Sequence, residues 1–428
     1  MLGLSALVLC TAACLTSAVA VAAGGLASEP ALRLSVVPRS GLVDRVRVIT
    51  ISGLARGERV TLEAQTTSLG GVFGSKTVFT GDRRGRVDLA TAKPVSGSYQ
   101  QPSAMGPFWS ASFEHRGGPA DATGINVTRL TATTGDGRVS SVTVTQSFFS
   151  PGVGFPQGET LAADGFVGSY FTPAHRRPGG PAMVVWGGSE GGDGAVLGDA
   201  ALLASHGIPT LALAYFDEPG LPCSLSNIPI EYFVKAIRWL AQQPGIDPSR
   251  VWAWGTSRGS EALGLIASNF PDLLHGIIDD SASSLAFGSI RGNCAPPTPF
   301  AWTLGGQPVA WTTGNSPSFF DPTLNSPGTI PFGHYHGAAL LVSGSDDGLW
   351  PSKLYENLIM SELRGDPAAH VHLNYANAGH ADLEPPYTPV QLNHNDHGVH
   401  VNLGGTIAGM ENAYEHDWPA MLRFIKSH

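Results

Sequence analysis

Six short apolar runs follow one another from residue 182 onwards, each bounded by glycine, proline or polar residues. They are "AMVVWGG", "PTLALAY", "RVWAWG", "GIIDD", "GAALLVSG" and "VHLNYAN". Continuous apolar runs of this length are typical of strands buried on both faces of a parallel sheet. Between them, "DAALLASHG" closes on Gly207, and "IPIEYFVKAIRWLAQQPG" has one apolar face and ends before Pro244, as helices do. The pattern predicts stacked βαβ units over residues 160–428.

The chain before this region alternates apolar and polar residues over short segments. "RVRVITISG", "RVTLEAQTT" and "VSSVTVTQSFF" lie between Leu32 and Ser150 and are separated by Gly, Asp and Pro turns. Such alternation is typical of strands with one buried face, and no amphipathic helix longer than a turn or two fits this stretch. We therefore predict an all-β, immunoglobulin-like sandwich over residues 31–150, with a boundary near residues 150–160.

Length and composition agree with two folded domains. A chain of 428 residues exceeds what one hydrophobic core usually supports, and 42% apolar with 14% charged residues is typical of a globular protein. The formal net charge is -9, and the longest basic clusters are the pairs Arg83-Arg84 and Arg176-Arg177. Because nucleic acids are bound by dense Lys/Arg surfaces, this charge argues against a nucleic-acid partner.

Residues 1–28 carry no charged side chain and end in small residues around Ala20 to Ala23. The apolar run is too short and too rich in Ala, Ser and Thr for a comfortable membrane span. We predict an export signal, a secreted or cell-envelope protein, and no stable membrane span in the mature chain. A signal normally begins with a cation, whereas the first one here is Arg33, so a misplaced start codon, a poor signal or an uncleaved anchor are alternatives.

The four cysteines divide between this leader and the rest of the chain. Cys10 and Cys14 lie in the leader, and the residues before Cys14 lack the leucine of a lipid-attachment box, so no lipoprotein is predicted. Cys223 and Cys294 remain, and an even pair in an exported protein is more often oxidised than free. A disulfide between them is one interpretation, and two unrelated buried thiols are the other.

The pentapeptide Gly255-Thr256-Ser257-Arg258-Gly259 has the pattern G-x-S-x-G, with a predicted strand before it and the helical "SRGSEALGLIASNF" after it. Small neighbours are needed because the turn from strand to helix forces the serine backbone into a strained conformation. The serine hydroxyl is then held above the sheet, and the helix N-terminus and the Arg258 backbone N–H are available to an oxyanion. We predict that Ser257 is a nucleophile, although structural glycine turns also produce this pentapeptide.

A serine nucleophile needs a base that is oriented by an acid. In α/β-hydrolases the acid and then the histidine follow the serine, at the ends of later strands. "GAALLVSG" leads into "SDDGLW", and "VHLNYAN" leads into "AGHADLEPPY". We therefore predict His380 as the base and Asp347 as the acid; Asp346 is the rival acid, and a solvated loop histidine is the alternative for His380.

A second oxyanion donor is expected in the loop after an early strand, where "VVWGGSEGG" lies. Gly187 and Gly188 permit close approach of the backbone to a substrate, and the N–H groups of Gly188 and Ser189 are the candidate donors. The sequence does not decide between the two. Glu190 is either a specificity residue or simply solvated, and we favour the solvated interpretation.

Several histidines cluster late in the chain, and metal binding is one interpretation of them. They are His334 and His336 in "GHYHG" and His394, His397 and His400 in "NHNDHGVHVN". Their spacing matches neither H-E-x-x-H nor a Cys/His zinc pattern. We interpret them as polar residues of a loop before the final helix, and we predict no metal ligand and no organic cofactor.

Together these segments resemble the family of acyl-CoA thioester hydrolases and bile acid-CoA:amino acid N-acyltransferases. In the first part, "VTLEAQTTS" and "QPSAMGPFW", with its Met-Gly-x-x-Trp stretch, are similar to that family's β-sandwich. In the second part, the similar segments are "DAALLASHGIPTLALAYF", "LPCSLSNIPIEYFVKAIRWL", "GTSRGSE", "GSDDGLWPS", "AGHADLEPPYTP" and "AYEHDWPAMLRFIKSH". The resemblance implies an α/β-hydrolase domain behind an immunoglobulin-like sandwich.

The resemblance also implies an acyl-transfer site at Ser257, His380 and Asp347. Members that transfer acyl groups to amino acids typically have cysteine as the nucleophile, whereas thioester hydrolases have serine, so hydrolysis of an acyl thioester is favoured. Arg258 replaces the family's frequent lysine and either orients an anionic substrate or covers the surface. Because CoA thioesters are intracellular, export would point to another ester, thioester or amide.

Three functions are therefore carried forward for this chain. The first is a serine hydrolase with an acyl-enzyme intermediate, acting on a small acyl ester or thioester. The second is an acyltransferase, and the third is a non-catalytic secreted binding protein on a hydrolase fold. The segment "CAPPTPFAWTLGGQPVAW" is either a lid over the site or a surface loop.

Overall fold

A computed structural model describes residues 31–68, 70–117, 124–154, 158, 163–175, 178–312 and 326–428. The predicted leader, with Cys10 and Cys14, lies outside the described residues. Part of the predicted boundary near residues 150–160 also lies outside them. The export signal therefore stays a prediction.

The strands are β1 Arg33–Val37, β2 Ser40–Leu42, β3 Val48–Ser52, β4 Arg59–Ser68, β5 Gly71–Thr80, β6 Arg86–Asp88, β7 Ser96–Gly97, β8 Ser112–Arg116, β9 Ile125–Thr134, β10 Val139–Ser147, β11 Val167–Phe171, β12 Ala182–Trp186, β13 Thr210–Ala214, β14 Ile228–Pro229, β15 Val251–Thr256, β16 Gly276–Asp280, β17 Trp302–Leu304, β18 Gln307–Pro308, β19 Ala338–Gly344, β20 His370–Tyr375, β21 Asn393–Asp396 and β22 Val399–Asn402. The helices are α1 Gly106–Trp109, α2 Leu197–Ser205, α3 Ile230–Ala241, α4 Arg258–Asn269, α5 Ser352–Glu362 and α6 Ile407–Ser427.

The first ten strands form two sheets. The smaller sheet has the order β1-β3-β6, and the larger has the order β2-β10-β9-β4-β5-β7, with β8 also paired to β5. The alternation seen in the sequence becomes alternating burial: along β4, Val60, Leu62 and Ala64 face the core while their neighbours are more exposed. Side chains from both sheets share one apolar core, as expected of a sandwich.

The second region is built on a seven-stranded sheet of order β11-β13-β12-β15-β16-β19-β20. Strand β11 is antiparallel to β13, and the other neighbours are parallel. All six apolar runs from the sequence form strands of this sheet, so the predicted α/β-hydrolase fold is confirmed. The turn after β15 and the loops after β19 and β20 lie at the same edge, because carboxyl ends of parallel strands share one edge.

Helices cover both faces of this sheet. Phe233 of α3, Leu263 of α4 and Ile359 of α5 belong to the core on one face. Leu202 of α2 and Trp418 of α6 belong to the core on the other. Strands β12, β13, β16 and β19 are buried along their entire length, and β15 is buried except at its last residue, Thr256. This burial explains why their sequences are mostly apolar rather than alternating.

The sandwich and the α/β region share a core. Tyr387, Val390 and Met410, from the segments after β20, pack into the same cluster as Phe108 and Trp109 of the sandwich. Because the first two of these residues follow His380 in the chain, the sandwich supports the segment that carries the predicted base.

Polar contacts also join the two parts of the chain. The amide of Gln146 donates to the carbonyl of Tyr387 at 3.1 Å. Asp44 contacts both the ring of His206, at 2.6 Å, and the indole N–H of Trp418, at 3.2 Å. These hydrogen bonds connect the sandwich to α6, to the C-terminal end of α2 and to the segment that follows His380.

One prediction for the C-terminal segments differs from the structure. The histidine-rich stretch forms an antiparallel hairpin of β21 and β22 rather than an irregular loop, because residues 393–402 pair strand to strand around a turn at His397. The stretch after Cys294 contributes β17 and β18, and Trp302 within it is buried. Among the described residues, no helix combines the length and the apolar character needed to cross a membrane.

Candidate active site

Ser257 occupies the turn between β15 and α4 with a backbone φ of 56° and ψ of -122°. Non-glycine residues rarely adopt positive φ, and strained backbone of this kind clusters at functional sites. The N–H of Ser257 donates to the carbonyl of Asp280 at 3.0 Å, which holds the turn in place. Gly259 must be small, because a Cβ there would lie 2.2 Å from the carbonyl oxygen of Gly187.

The three side chains predicted to act together meet at one point. The Nε2 atom of His380 lies 2.7 Å from the hydroxyl oxygen of Ser257. Its Nδ1 atom lies 2.9 Å from Oδ2 of Asp347. A carboxylate only accepts hydrogen bonds, so Nδ1 carries the proton, and Nε2 of the neutral ring accepts from the serine hydroxyl. This is the geometry that a nucleophile, a base and an orienting acid require.

The loop after β19 distinguishes the two candidate acids. Asp347 turns inward, and its Oδ1 accepts hydrogen bonds from the backbone N–H groups of Leu349, at 2.8 Å, and Trp350, at 3.2 Å. These bonds leave Oδ2 free to face His380. Asp346 is exposed and is held through its backbone, with its N–H donating to the carbonyl of Ala378. The geometry therefore favours Asp347 over its neighbour.

The imidazole of His380 is almost completely buried. Burial by itself lowers the pKa of His380, but the charge and hydrogen bond of Asp347, together with the charges of Asp280 and Glu190, outweigh it. The pKa therefore lies above the usual value of 6.5. The indole of Trp350 packs edge-on against the imidazole with 5.2 Å between ring centroids, and its N–H donates to the carbonyl of Ser281. Trp350, itself held by that hydrogen bond, thus restricts the imidazole by direct ring contact.

The three predicted oxyanion donors differ in how their N–H groups lie relative to Ser257. The Arg258 N–H is the first of α4, where helical N–H groups have no intrahelical acceptor. Gly188 lies against the nucleophile, because a Cβ on it would come within 2.8 Å of the Cβ of Ser257. The hydroxyl of Ser189 donates to Asp396 at 2.9 Å, so this residue is anchored to the hairpin. Close approach favours Gly188 as the second donor.

Glu190 folds back onto this loop. Although the residue as a whole is exposed, both carboxylate oxygens accept the N–H of Gly188, at 2.9 and 3.0 Å. The prediction that Glu190 is simply solvated is therefore wrong for its carboxylate. Burial of that group raises the pKa of Glu190, and the hydrogen bond from Gly188 opposes the rise.

The guanidinium of Arg258 is buried rather than free. Its Nε lies 2.5 Å from Oε1 of Glu261, and its Nη2 donates to the carbonyl of Gly288 at 2.8 Å. Glu261 also accepts the indole N–H of Trp302 at 2.7 Å and the backbone N–H of Phe287 at 3.0 Å. The expectation that this cation orients an anionic substrate or covers the surface is wrong, because it pairs internally and anchors the segment after β16.

Two family models match the chain. The model described as "Acyl-CoA thioester hydrolase/BAAT N-terminal region" matches residues 44–155. The model described as "BAAT / Acyl-CoA thioester hydrolase C terminal" matches residues 228–428. The chain belongs to the acyl-CoA thioester hydrolase/BAAT family. The first match lies mainly on the sandwich, and the second contains Ser257, Asp347 and His380.

Curated relatives resemble this BAAT-family chain along nearly its full length. Acyl-coenzyme A amino acid N-acyltransferase 1 of Mus musculus is 27% identical over 93% of this chain and 98% of its own. Peroxisomal succinyl-coenzyme A thioesterase of Mus musculus is 26% identical over 93% and 97%. Acyl-coenzyme A thioesterase 1 of Homo sapiens is 27% identical over 80% and 83%. These names include both thioesterases and N-acyltransferases.

Solved structures resemble the chain more distantly. A dienelactone hydrolase-like promiscuous phosphotriesterase from metagenomic libraries is 18% identical, with a TM-score of 0.39, and the match covers 64% of this chain and 97% of that one. A putative dienelactone hydrolase from Klebsiella pneumoniae is 15% identical, with a TM-score of 0.39 over 64% and 98%. The strand order described above, and not these likenesses, carries the fold assignment.

The structure also describes the cysteines and the hairpin histidines that were singled out from the sequence of this BAAT-family chain. Cys223 and Cys294 are joined by a disulfide, which ties the loop after β13 to the segment that leads to β17. His397 occupies the hairpin turn with a backbone φ of 48°. Its Nε2 atom lies 3.5 Å from Oδ1 of Asp396, and its Nδ1 atom lies 4.0 Å from Oδ2 of Asp217. Its neighbours His394 and His400 are exposed on the hairpin strands.

Sequence reasoning missed three contributors to the site. Asp280 is the last residue of β16, and Trp350 lies in the loop after β19. Both positions at the carboxyl edge of the sheet could have drawn attention to these residues. Asp396 reaches the loop of Ser189 from a distant hairpin, and no spacing in the sequence signals that contact. Its role depends on how the hairpin folds over the sheet edge.

Proposed function

We propose that this protein is a serine hydrolase that cleaves acyl thioesters through an acyl-enzyme on Ser257. One observation carries the proposal: the hydroxyl of Ser257, the imidazole of His380 and the carboxylate of Asp347 form a continuous chain of hydrogen bonds at a strained turn. Such a chain activates a serine that is otherwise a weak nucleophile. The family match supports acyl chemistry.

The first half of the reaction forms the acyl-enzyme. His380 takes the proton of Ser257 as the oxygen attacks the carbonyl carbon, and the carbonyl π electrons move onto its oxygen. The Arg258 N–H stabilises this oxyanion, together with the N–H of Gly188 once that group is available. Asp347 stabilises the imidazolium. When the oxyanion collapses, the carbon–sulfur bond breaks, and the imidazolium provides the proton that the leaving thiolate takes up.

The second half of the reaction releases the acyl group. His380, neutral again, removes a proton from water, and the hydroxide oxygen adds to the ester carbonyl of the acyl-enzyme. Collapse of the second tetrahedral intermediate returns the proton to Ser257 and frees a carboxylic acid. Each step uses side chains and backbone N–H groups of this chain, so the proposed chemistry requires no metal ion and no organic cofactor.

A substrate screen with a matched variant tests the proposal. Purified protein is assayed with acyl-CoAs, simple alkyl thioesters, oxygen esters and amides, beside the Ser257→Ala variant. We expect thioester hydrolysis by the wild type and a loss of several orders of magnitude in the variant, with an unchanged circular dichroism spectrum. Equal activity of both proteins would refute the role of Ser257.

A fluorophosphonate probe tests the third function, a non-catalytic binding protein. The probe reacts with an activated serine and leaves an unactivated hydroxyl unmodified. We expect labelling of the wild type at Ser257, located by peptide mass spectrometry, and none in the alanine variant. An unlabelled wild type would favour the binding-protein reading.

Acyl transfer to an amine or alcohol is the second candidate. It is favoured by the near full-length likeness to acyl-coenzyme A amino acid N-acyltransferase 1. Serine in place of the cysteine of transferring members favours water as the acceptor. Mass spectrometry of the products with added glycine, taurine or an alcohol separates the two, since a conjugate would appear in place of free acid.

We also propose export of the chain, on the basis of residues 1–28. Export would separate the enzyme from intracellular CoA, so short thioesters or esters without a nucleotide are then the expected substrates. Comparing the intact mass of protein recovered from the medium or cell envelope with that of the full chain tests this. A full-length chain found only in the cytoplasm would contradict it.

A further inference from the structure

The carboxylate of Glu190 accepts a hydrogen bond from a backbone N–H that the proposed reaction needs for the oxyanion. Both of its oxygens accept the single N–H of Gly188, at 2.9 and 3.0 Å. This arrangement depends on the preceding glycine, because a Cβ on Gly187 would lie 1.8 Å from Oε1 of Glu190. The loop sequence therefore accommodates a folded-back glutamate.

The same N–H group borders the nucleophile. A Cβ on Gly188 would lie 3.3 Å from the hydroxyl oxygen of Ser257 and 3.2 Å from Oε2 of Glu190. The carboxylate and the hydroxyl thus approach Gly188 from the same side. An oxyanion formed by attack of Ser257 has to bind there, and a carboxylate oxygen offers the same charge and the same accepting geometry.

We propose that Glu190 is a built-in surrogate for the reaction's oxyanion, which occupies the Gly188 N–H in the resting enzyme and leaves it when a substrate carbonyl enters. This inference rests on the proposed function, since it assigns Gly188 the role of an oxyanion donor. Glu190 is then a positioning residue: it competes with the substrate for one donor and weakens productive binding.

The surroundings allow the side chain to leave without unfolding the loop. Ser189 is held to the hairpin by its hydrogen bond to Asp396, and Tyr215 donates its hydroxyl to the carbonyl of Gly188 at 2.5 Å. Both anchors act on the backbone neighbours of Glu190 and not on its carboxylate. Because Glu190 is otherwise exposed, rotation about its own side-chain bonds carries the carboxylate into solvent.

The release of Glu190 is favoured as the reaction proceeds. The carbonyl oxygen gains a full negative charge when Ser257 attacks, so the oxyanion competes with the carboxylate for the N–H better than the neutral carbonyl of the bound substrate does. The surrogate therefore opposes binding of the uncharged substrate more than binding of the oxyanion. It also lowers the affinity of any ligand that binds through an oxyanion.

The test compares Glu190→Ala with a matched control, Glu218→Ala. The carboxylate of Glu218 lies against Gly192, 3.0 Å from where a Cβ would be, so its removal changes the loop's charge equally. A trifluoromethyl ketone is the probe, because it adds to the serine and forms a stable oxyanion. In Glu190→Ala the Gly188 N–H has no charged partner, so the ketone should inhibit this variant at least about 10-fold more tightly than the wild type. Inhibition of Glu218→Ala by the ketone should be unchanged.

Steady-state kinetics give a second measurement. If Glu190 competes with substrate, Glu190→Ala lowers KM for thioesters and does not reduce kcat. If Glu190 instead shapes the oxyanion site, the variant weakens ketone inhibition and lowers kcat, and this outcome overturns the inference. Unchanged inhibition also overturns it.

Nuclear magnetic resonance detects the hydrogen bond between the Gly188 N–H and the Glu190 carboxylate without an activity assay. Labelling glycine with 15N and with 13C at the carbonyl selects amides that follow another glycine, which include Gly188. We expect the Gly188 proton to move upfield in Glu190→Ala and not in Glu218→Ala; an unmoved resonance overturns the inference.

The two proposals fail in different ways. If the ketone binds neither the wild type nor any variant, and no thioester is hydrolysed, the proposed function fails, and the surrogate role fails with it. If the ketone inhibits the wild type but Glu190→Ala gains nothing, the inference alone fails.

Discussion

The backbone carbonyl of Trp109, in the sandwich, accepts a hydrogen bond at 3.1 Å from the N–H of Val390, in the segment that follows His380. The two residues also belong to one apolar cluster with Tyr387 and Met410. The sulfur of Met410 in turn accepts the N–H of Gly379, immediately before the histidine. The sandwich therefore supports the base of the proposed reaction from behind.

Removing the side chain of Trp109 should affect both stability and catalysis. The residue is buried, so Trp109→Ala should lower the free energy of unfolding by about 3–5 kcal/mol through the cavity it leaves. Because the cavity lies under the His380 segment, kcat should fall more than KM rises. Urea unfolding and steady-state kinetics measure the two effects. Wild-type kinetics in a destabilised variant would show that the sandwich does not position the base.

Asp347→Asn should lower kcat by about 10⁴-fold, because the amide no longer stabilises the imidazolium and can select the wrong tautomer of His380. Asp346→Asn is the matched control, since it makes the same change at the exposed neighbour. That variant should retain wild-type kcat. A larger loss in Asp346→Asn than in Asp347→Asn would reverse the assignment of the acid.

The pH dependence of kcat/KM should report the titration of His380. The ring acts as a base only when neutral, so activity should fall as the pH drops through its pKa, which lies above 6.5 in the folded protein. Since the charge of Asp347 raises that pKa, Asp347→Asn should move the acid limb of its residual activity to lower pH. An acid limb that stays in place would assign the limb to another group.

The raised pKa of His380 also contributes to stability. The protonated ring is favoured by folding, so this contribution is fully present below the unfolded pKa and is lost as the pH rises through the folded pKa. Urea unfolding across this range should show a smaller dependence on pH in His380→Gln. An identical dependence would mean that other groups cause it.

The buried pair of Arg258 and Glu261 should matter for folding. Arg258→Met leaves the carboxylate of Glu261 buried without its cation, which should cost about 3–5 kcal/mol of unfolding free energy. Lys76→Met removes the cation of an exposed pair with Glu63 and should cost at most about 1 kcal/mol. Equal losses in the two variants, measured by urea unfolding, would contradict the buried role of Arg258.

Much of the architecture was predictable from local patterns. Continuous apolar runs predicted the strands of the parallel sheet, and alternation predicted the sandwich strands, because burial on one or two faces leaves a periodic trace within a few residues. The antiparallel strand β11 and the hairpin of β21 and β22 were missed. Their sequences are short and carry no comparable period.

In the candidate site, too, some features were predictable from the sequence and others depended on tertiary contacts. The G-x-S-x-G turn, and the order of serine, acid and histidine after successive strands, were present in the linear sequence, because steric limits on a tight turn act between adjacent residues. The sequence already favoured Asp347 over Asp346, and the loop's backbone hydrogen bonds support that choice. The partner of the Arg258 guanidinium required the packing around α4.

The sequence by itself determined the parallel strands of the large sheet, the alternating strands of the sandwich and the residue types that stand at the carboxyl edge of the sheet. Only the tertiary structure decided which side chains meet there: the carboxylate of Glu190 on the N–H of Gly188, Asp396 on Ser189, and the sandwich behind His380. The physical reason is range. Backbone sterics and periodic burial act over a few residues, whereas contacts between distant segments depend on how the layers pack.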